Sequence, residues 1–395
     1  MFLDDLESVM FVRCNPMLWK TSLAWQRLRR SWILSLHSST ARAFSGPCCQ
    51  DPCKESSSFS TEKLPHTPVM VKEVLEFLDL KPGQVVLDMT FGGGGHTTAI
   101  VNTVPEVKVL ALDRDPQAYA LAQRLAEEHR GVKPLLGRFS ELEVLLSDMN
   151  IQPCSIDAVL MDAGCSSMQM DQSDRGFSLS RDGPLDMRMD GDRYLDVPCA
   201  ADVVNTLDQQ ALASILTAYG EERHARKIAS AIVMARRVNP ITRTQQLASV
   251  VAGSLPAAVA YARKDRLHRP AHVATKTFQA LRIFVNDEMN ELHAGLRAAQ
   301  AVLRPGGRLC VITFHSLEDR LVKRFLRGDD LSNLDQHHFS PKKQKGRKEK
   351  PQDENGDGGR AVWLPLQRKV TVPKKDDVID NPRGRSAKLR AATKC

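Results

Sequence analysis

The stretch "LDMTFGGGGHT", residues 87–97, sets four consecutive glycines between an acid and a histidine. Before it, Pro82-Gly83-Gln84 reads as a turn and Val85-Val86-Leu87 as a short apolar strand; after it, 96–101 reads as the first turns of a helix. A strand–glycine loop–helix unit brings backbone N–H groups close to a ligand, with the positive end of a helix behind them. Because the glycines begin where the apolar strand ends, the loop reads as ligand-binding.

The residues then select the ligand. A dinucleotide fingerprint needs a third glycine, and counting from Gly92 or Gly93 that place holds Thr97 or Thr98. A phosphate loop needs Gly-Lys-Ser/Thr, but Gly95 is followed by His96. An acid closing the strand, then a glycine turn, suits a cofactor that carries an amino acid and no phosphate. S-adenosylmethionine fits. Its ammonium would pair with Asp88, and its carboxylate would take N–H groups where Gly92, Gly94, Gly95 and His96 enter the helix.

Working outward, strand 107–112 ends "LALDRDP", which places Asp113 at its tip as an acceptor for ribose hydroxyls. Asp115 followed by Pro116 reads as a helix cap with proline in the first turn. The next unit ends "GRFS", where Phe139 either flanks an adenine or packs in the core. The fourth strand, 156–161, is followed by Asp162 in "VLMDAGCSS". Ligands of open α/β sheets lie outside the carboxyl ends of strands, the edge these acids share.

Further strands are read at 85–89 and 308–313, with helices at 116–128, 141–149 and 276–302. This alternation predicts an α/β, Rossmann-like, doubly wound sheet. Residues 172–281 break it with helix-forming sequence and are read as an inserted helical, substrate-recognition domain. The predicted organisation is a leader and linker (1–60), the first core part (61–171), the insertion (172–281) and the second core part (282–330). A disordered charged loop (331–360) and a C-terminal core and basic tail (361–395) complete it.

The 395 residues carry 55 Lys+Arg against 47 Asp+Glu, a net charge of +8 that suits a polyanionic partner. The nine cysteines lack zinc-ligand spacing, so no metal is expected, and no apolar run is long enough to cross a bilayer. Residues 8–50 contain no acid but carry Arg13, Lys20, Arg27, Arg29, Arg30 and Arg42, with Trp25, Leu28 and Trp32 at helical spacing. That is the pattern of a mitochondrial import leader, with "RAFSG" at 42–46 as a processing site. Asp4, Asp5 and Glu7 oppose import, and initiation at Met10 or Met17 would remove them.

The motifs "HTPVMVKEVL", "DMTFGGGGHT", "ALDRDPQA", "MDAGCSSMQ", "DGPLDMRMD", "YGEER", "TFQALRIFVN", "LRPGGRL", "FHSLEDRLVKRF" and "NPRGRSAKLR" occur in this order. Together they resemble the RsmH/MraW family, whose members methylate the exocyclic N4 of a cytidine in small-subunit rRNA. The resemblance runs from about His66 to the end, apart from 328–375; with the leader, it points to the family's vertebrate mitochondrial branch, acting on 12S rRNA in the matrix. It implies S-adenosylmethionine as cofactor, contacted by Gly94, Gly95, His96, Asp113, Phe139, Asp162 and Gln169. Ala163, Cys165 and Met168 depart from the family's usual D-L-G-V-S-S-P-Q.

For catalysis, no Asp/Asn-Pro-Pro-aromatic loop follows the fourth strand. Asp162 is therefore expected to accept from N4. His315 in "FHS" is either the proton acceptor or a structural residue fixing the strand end. Phe314 or Phe177 would support a flipped base. Asp186, Arg188 and Asp190 are read as a clasp between the insertion and the site. Phosphate contacts are expected from Arg223, Arg226, Lys227, Arg236, Arg237, Arg243, Lys264 and Arg266, and from Arg383, Arg385, Lys388 and Arg390 at the carboxyl end. Two rival readings stay open: the same fold acting on protein or a small molecule, and an rRNA-binding assembly protein with a vestigial cofactor site.

Overall fold

The computed structural model describes residues 68–256, 272–329, 331 and 362–395. The leader, residues 332–360 of the charged loop, Lys264 and Arg266 lie outside the described residues.

Helix α1 (Val71–Leu78) precedes three strand–helix units: β1 (Val85–Asp88) with α2 (Gly95–Thr103), β2 (Lys108–Asp113) with α3 (Pro116–Glu128), and β3 (Val132–Leu136) with α4 (Leu142–Asp148). Strand β4 (Ile156–Asp162) follows. Asp115 caps α3 by accepting from the Gln117 amide at 3.0 Å, with Pro116 in the first turn. The chain then runs through α5 (Ser167–Asp171), α6 (Ala200–Thr206), α7 (Gln209–Ala218), α8 (Ala225–Arg236), α9 (Thr244–Gly253), α10 (Thr275–Val285) and α11 (Glu288–Val302). It returns to the sheet at β5 (Leu303–Thr313), followed by α12 (Ser316–Leu326), β6 (Trp363–Pro365) and β7 (Lys388–Lys394).

The sheet order is β3-β2-β1-β4-β5-β7-β6. The first five strands are parallel, whereas β7 pairs antiparallel with both β5 and β6. The direction of winding reverses between β1 and β4, so a crevice opens at their carboxyl ends.

Alternation of side chains along each strand divides the core. Leu87, Leu110, Val159 and Val311 face α4, α11 and α12, while Val86, Val109, Leu160 and Ile312 face α1, α2 and α3. Because both faces are covered, the strands read as continuous apolar runs. The helices between β4 and β5 bury a separate cluster, including Val203, Leu212, Ile228, Leu247, Phe278 and Val285.

Three sequence expectations are corrected here. The helix expected over 276–302 is two helices, α10 and α11, joined at Asn286 and Asp287, the latter in the left-handed region at φ 51. Asn286 leaves the helical pattern because its amide serves the insertion: Nδ2 donates to the Met187 carbonyl and Oδ1 accepts from the Met189 amide, both at 2.7 Å. The packing of the inserted helices therefore continues past 281 to Val285. Third, the basic carboxyl end forms β7, with Leu389 and Ala392 fully buried in the sheet.

Candidate active site

The glycine loop is stitched across three strand tips. The Met89 amide donates to the Leu160 carbonyl (2.9 Å) and the Phe91 amide to the Leu112 carbonyl (3.0 Å). The Gly92 amide donates to Asp113 Oδ2 at 2.7 Å. Gly94 caps α2 at φ 79, and a Cβ there would lie 2.7 Å from Cζ of the buried Phe91 ring. Gly94→Ala is therefore expected to carry about 1–2 kcal/mol of left-handed strain and to displace Phe91. Its melting temperature and S-adenosylmethionine affinity should both fall, whereas Gly93→Ala should match wild type, since a Cβ at Gly93 meets nothing within 4 Å. Melting curves and calorimetry that fail to separate the two variants would contradict this packing.

The acids that close the strands take different roles. Asp88 is completely buried; its Oδ2 accepts from the Thr97 hydroxyl (2.7 Å) and its Oδ1 from the Thr90 amide (3.0 Å). It braces the loop from beneath, so the expectation that it meets a ligand's ammonium is corrected. Asp113 stands at the tip of β2, where Oδ1 accepts from the Asp115 amide at 2.9 Å and Oδ2 from Gly92. Burial pushes its pKa up to about 6 against the pull of those two amides. Each oxygen keeps a lone pair for a hydroxyl.

Asp162 stands at the tip of β4, its amide donating to the Thr90 hydroxyl at 2.7 Å. Its Oδ2 lies 3.5 Å from His96 Nε2, near enough for charge but without a hydrogen bond. His96 is 7% exposed, and neither of its nitrogens has a hydrogen-bond partner; Asp162 Oδ1 is equally orphaned. Burial lowers the imidazole pKa, but Asp162, and behind it Asp88, outweigh burial and raise it. Leaving such groups unpaired costs about 1–3 kcal/mol each, the mark of a site shaped for a polar ligand.

Phe139 follows β3 and packs against the sheet core while remaining partly exposed. Gly295 of α11 makes room for it, since a Cβ there would come within 3.0 Å of the ring. Gln169 is buried: Nε2 donates to Asp115 Oδ2 (2.8 Å) and Oε1 accepts from the Ser166 amide (3.0 Å). Ala163 packs in the sheet core, its amide donating to the Ile312 carbonyl at 2.9 Å. The small side chain leaves the β4 tip in register.

His315 is a cap, not a poised base. Its Nδ1 accepts from the Leu317 amide at 3.3 Å, starting α12. Burial pushes its pKa down to about 4; Glu221 opposes this, while Arg282, Arg320 and Lys276 reinforce it. The expected proton-accepting role is thereby corrected. Since the folded pKa is depressed, the unfolded chain binds more protons between about pH 6.5 and 4, and stability is lost as pH falls through that window. His315→Asn keeps a capping oxygen and should remove this loss, read as a shallower fall in melting temperature. Parallel profiles would contradict the buried neutral imidazole.

Below the cap, Glu318 Oε2 accepts from the Phe314 (2.9 Å) and His315 (3.0 Å) amides, and burial pushes its pKa up to about 7 despite Arg282. Phe177 is 5% exposed within the inserted helices, so it is not placed to stack on a base. Phe314 is partly exposed beside Gly164.

The clasp has partners that sequence reasoning missed. Asp190 accepts from Arg114 (Nε to Oδ1 3.0 Å, Nη2 to Oδ2 2.6 Å) and from Arg138 (3.2 and 2.8 Å). Arg175 reaches Asp115 at 2.8 Å and donates to the carbonyls of Arg188 and Met189. Arg188 closes on Asp186 at 2.7 Å. The insertion thus grips the loops after β2 and β3, beside Asp113 and Phe139. The only sequence signal was an arginine adjoining each of those residues.

This strand order, with an antiparallel β7 and an acid-lined crevice at the β1/β4 reversal, defines a Rossmann-like class I methyltransferase. The chain belongs to the MraW methylase family, whose sequence profile matches residues 63–395. It is 59% identical over 338 residues to the bovine (Bos taurus) 12S rRNA N(4)-cytidine methyltransferase METTL15, covering 83% of this chain and 82% of that one. The Homo sapiens protein of the same name is 57% identical over 346 residues, covering 86% and 85%. The ribosomal RNA small subunit methyltransferase H of Azorhizobium caulinodans is 48% identical over 329 residues, covering 83% and 86%.

Proposed function

We propose that this chain transfers the methyl group of S-adenosylmethionine to the N4 of a cytidine in mitochondrial small-subunit (12S) rRNA, in the matrix, and so supports assembly of the small ribosomal subunit. The observation that carries this reading is the set of orphaned buried atoms, His96 Nδ1 and Nε2 and Asp162 Oδ1, at the β1/β4 crevice of a chain in this family.

The residues fit the cofactor. Asp113 has a free lone pair on each oxygen for the ribose hydroxyls, Phe139 offers a partly exposed ring for the adenine, and Gly94, Gly95 and His96 bring a helix start to the amino-acid end. Gln169 closes the wall between Asp115 and Ser166. When bound, S-adenosylmethionine supplies an electrophilic methyl.

The protein's task is to orient a poor nucleophile. The lone pair of cytosine N4 is delocalised into the ring, and a hydrogen bond from N4–H to Asp162 Oδ1 favours the pyramidal nitrogen in which that pair is localised and aimed at the methyl; the proton that N4 loses on transfer leaves along the same hydrogen bond. Positioning of this kind supplies a large part of such barriers. His96, 3.5 Å away, steadies the carboxylate. Phe314, partly exposed at the β5 tip, supports the base.

The substrate class is tested by incubating the protein with methyl-labelled cofactor and a mixture of small-subunit rRNA, ribosomal proteins and free nucleosides. Label in the RNA fraction alone is expected. Label in protein, or in nucleosides at equal efficiency, would move the reaction to the rival substrates.

A further inference from the structure

The structure sorts the cations of the inserted helices into those already committed and those left open. Arg236 donates to the carbonyls of Val204 and Leu207 at 2.7 and 2.6 Å, holding α8 against the end of α6. Arg243 is paired with Asp182 at 2.6 Å. At the carboxyl end, Arg383 pairs with Asp171 at 2.6 Å, while Lys388 and Arg390 both pair with Asp319 at 2.8 Å. These side chains already hold partners within the fold.

Arg223, Arg226 and Lys227 differ. All three are exposed, and none has an acidic partner among the described residues. They line one concave groove of about 770 Å³ at the turn from α7 to α8, with Thr217 on its wall.

The two acids of the groove are already engaged. Glu221 accepts from Arg320 Nη2 at 2.7 Å and from the Ser316 hydroxyl at 3.0 Å, and these bonds hold its pKa down although burial raises it. Glu222 is buried, with Oε1 accepting from the His224 amide at 2.9 Å. The open face of the groove is thus cationic.

Its place matters as much as its charge. Ser316 and Arg320 belong to α12, which starts directly after His315 at the tip of β5, so Glu221 fastens the groove to the crevice edge. The Lys276 ammonium, donating to the Glu221 carbonyl at 2.9 Å, fixes the same turn from α10. A strand whose cytidine enters the crevice would pass its neighbouring phosphates across this groove.

We propose that the groove of Arg223, Arg226 and Lys227 is the phosphate subsite that seats the single-stranded RNA flanking the methylated cytidine. The assignment rests on the reading of the reaction given above. Three exposed cations on one concave surface match a phosphodiester run. They track the backbone without reading bases, and the crevice does the selecting.

The test compares wild type with the triple variant Arg223→Gln, Arg226→Gln, Lys227→Gln, and with a control that loses the same charge elsewhere. The control is Lys108→Gln, Arg124→Gln, Lys133→Gln; these residues are exposed on β2, α3 and β3. The probe is a fluorescent single-stranded RNA of small-subunit sequence, titrated over a salt series. The groove variant should bind at least roughly tenfold more weakly near 0.1 M salt. Its slope of log affinity against log salt should be shallower by about 2, at about 0.7 per phosphate contact on a single strand. Melting temperature and S-adenosylmethionine affinity should stay at wild-type values, and the control should keep its RNA affinity. Equal losses in both variants, or none in either, would overturn the groove. Failure of the reaction itself reads differently: wild type that binds RNA through the groove but leaves N4 unmethylated contradicts the proposed chemistry and upholds the subsite.

Discussion

Replacing Asp190 with alanine should lower the unfolding free energy by about 3–5 kcal/mol, the range for removing one partner of a buried ion pair. The Asp190 side chain is only 4% exposed and is gripped by two guanidiniums that are themselves 15% and 17% exposed. Its loss strands both arginines in a poorly hydrated place. Arg114 keeps a bond to the Asn286 carbonyl at 3.0 Å, and Arg138 stays over the Tyr194 ring at 4.1 Å, but neither contact neutralises charge. Burial alone would raise the Asp190 pKa; Arg114 and Arg138 outweigh it and hold the pKa below the usual 3.8. A depressed carboxylate pKa means that the clasp is fully present above about pH 4 and is lost as pH falls further, so the two proteins should converge only in strong acid. Denaturant melts at neutral pH check this, and a difference under about 1 kcal/mol, the worth of an exposed pair, would refute the clasp. Cofactor affinity should fall as well, because Arg114 and Arg138 adjoin Asp113 and Phe139.

The second large effect is chemical. Asp162→Asn keeps the shape of the side chain but replaces an anionic acceptor with an amide that can point a donor at N4. Turnover should fall at least roughly tenfold, equivalent to about 1.4 kcal/mol of transition-state stabilisation. S-adenosylmethionine affinity measured in parallel separates the two roles open to this residue. Lost turnover with retained affinity places Asp162 on the cytosine, whereas loss of both places it on the cofactor. Unchanged turnover removes it from the site.

The parts of this molecule legible in sequence are those with local causes. An apolar run ended by an acid located the tips of β1, β2 and β4, and Asp115-Pro116 marked the start of α3, because strand burial and helix capping act over a few residues. Asp88 and Asp113 show the limit. Both close an apolar strand within the sheet, but Thr97 folds back over Asp88 and buries it completely, whereas Asp113 keeps partial exposure. Pattern alone does not carry that difference in burial. His315 was open to two readings in sequence; the structural one prevails because His315 is largely buried at the start of α12, where Glu221 of the turn after α7 and Arg282 and Lys276 of α10, all remote in sequence, face it. Strand β7 was read as a basic tail because the acid that neutralises Lys388 and Arg390 is Asp319, far along the chain. The grip of Asp190 on Arg114, 76 residues away, was likewise beyond any spacing rule.

The central claim is tested most directly by the identity of the methylated atom. Small-subunit rRNA incubated with the protein and methyl-tritiated cofactor is digested to nucleosides and separated. All label should migrate as N4-methylcytidine, with none when Asp162→Asn replaces wild type beyond the residual turnover. Label on cytosine C5 or on a ribose 2′-oxygen would contradict the account, since neither places an amino group where Asp162 stands.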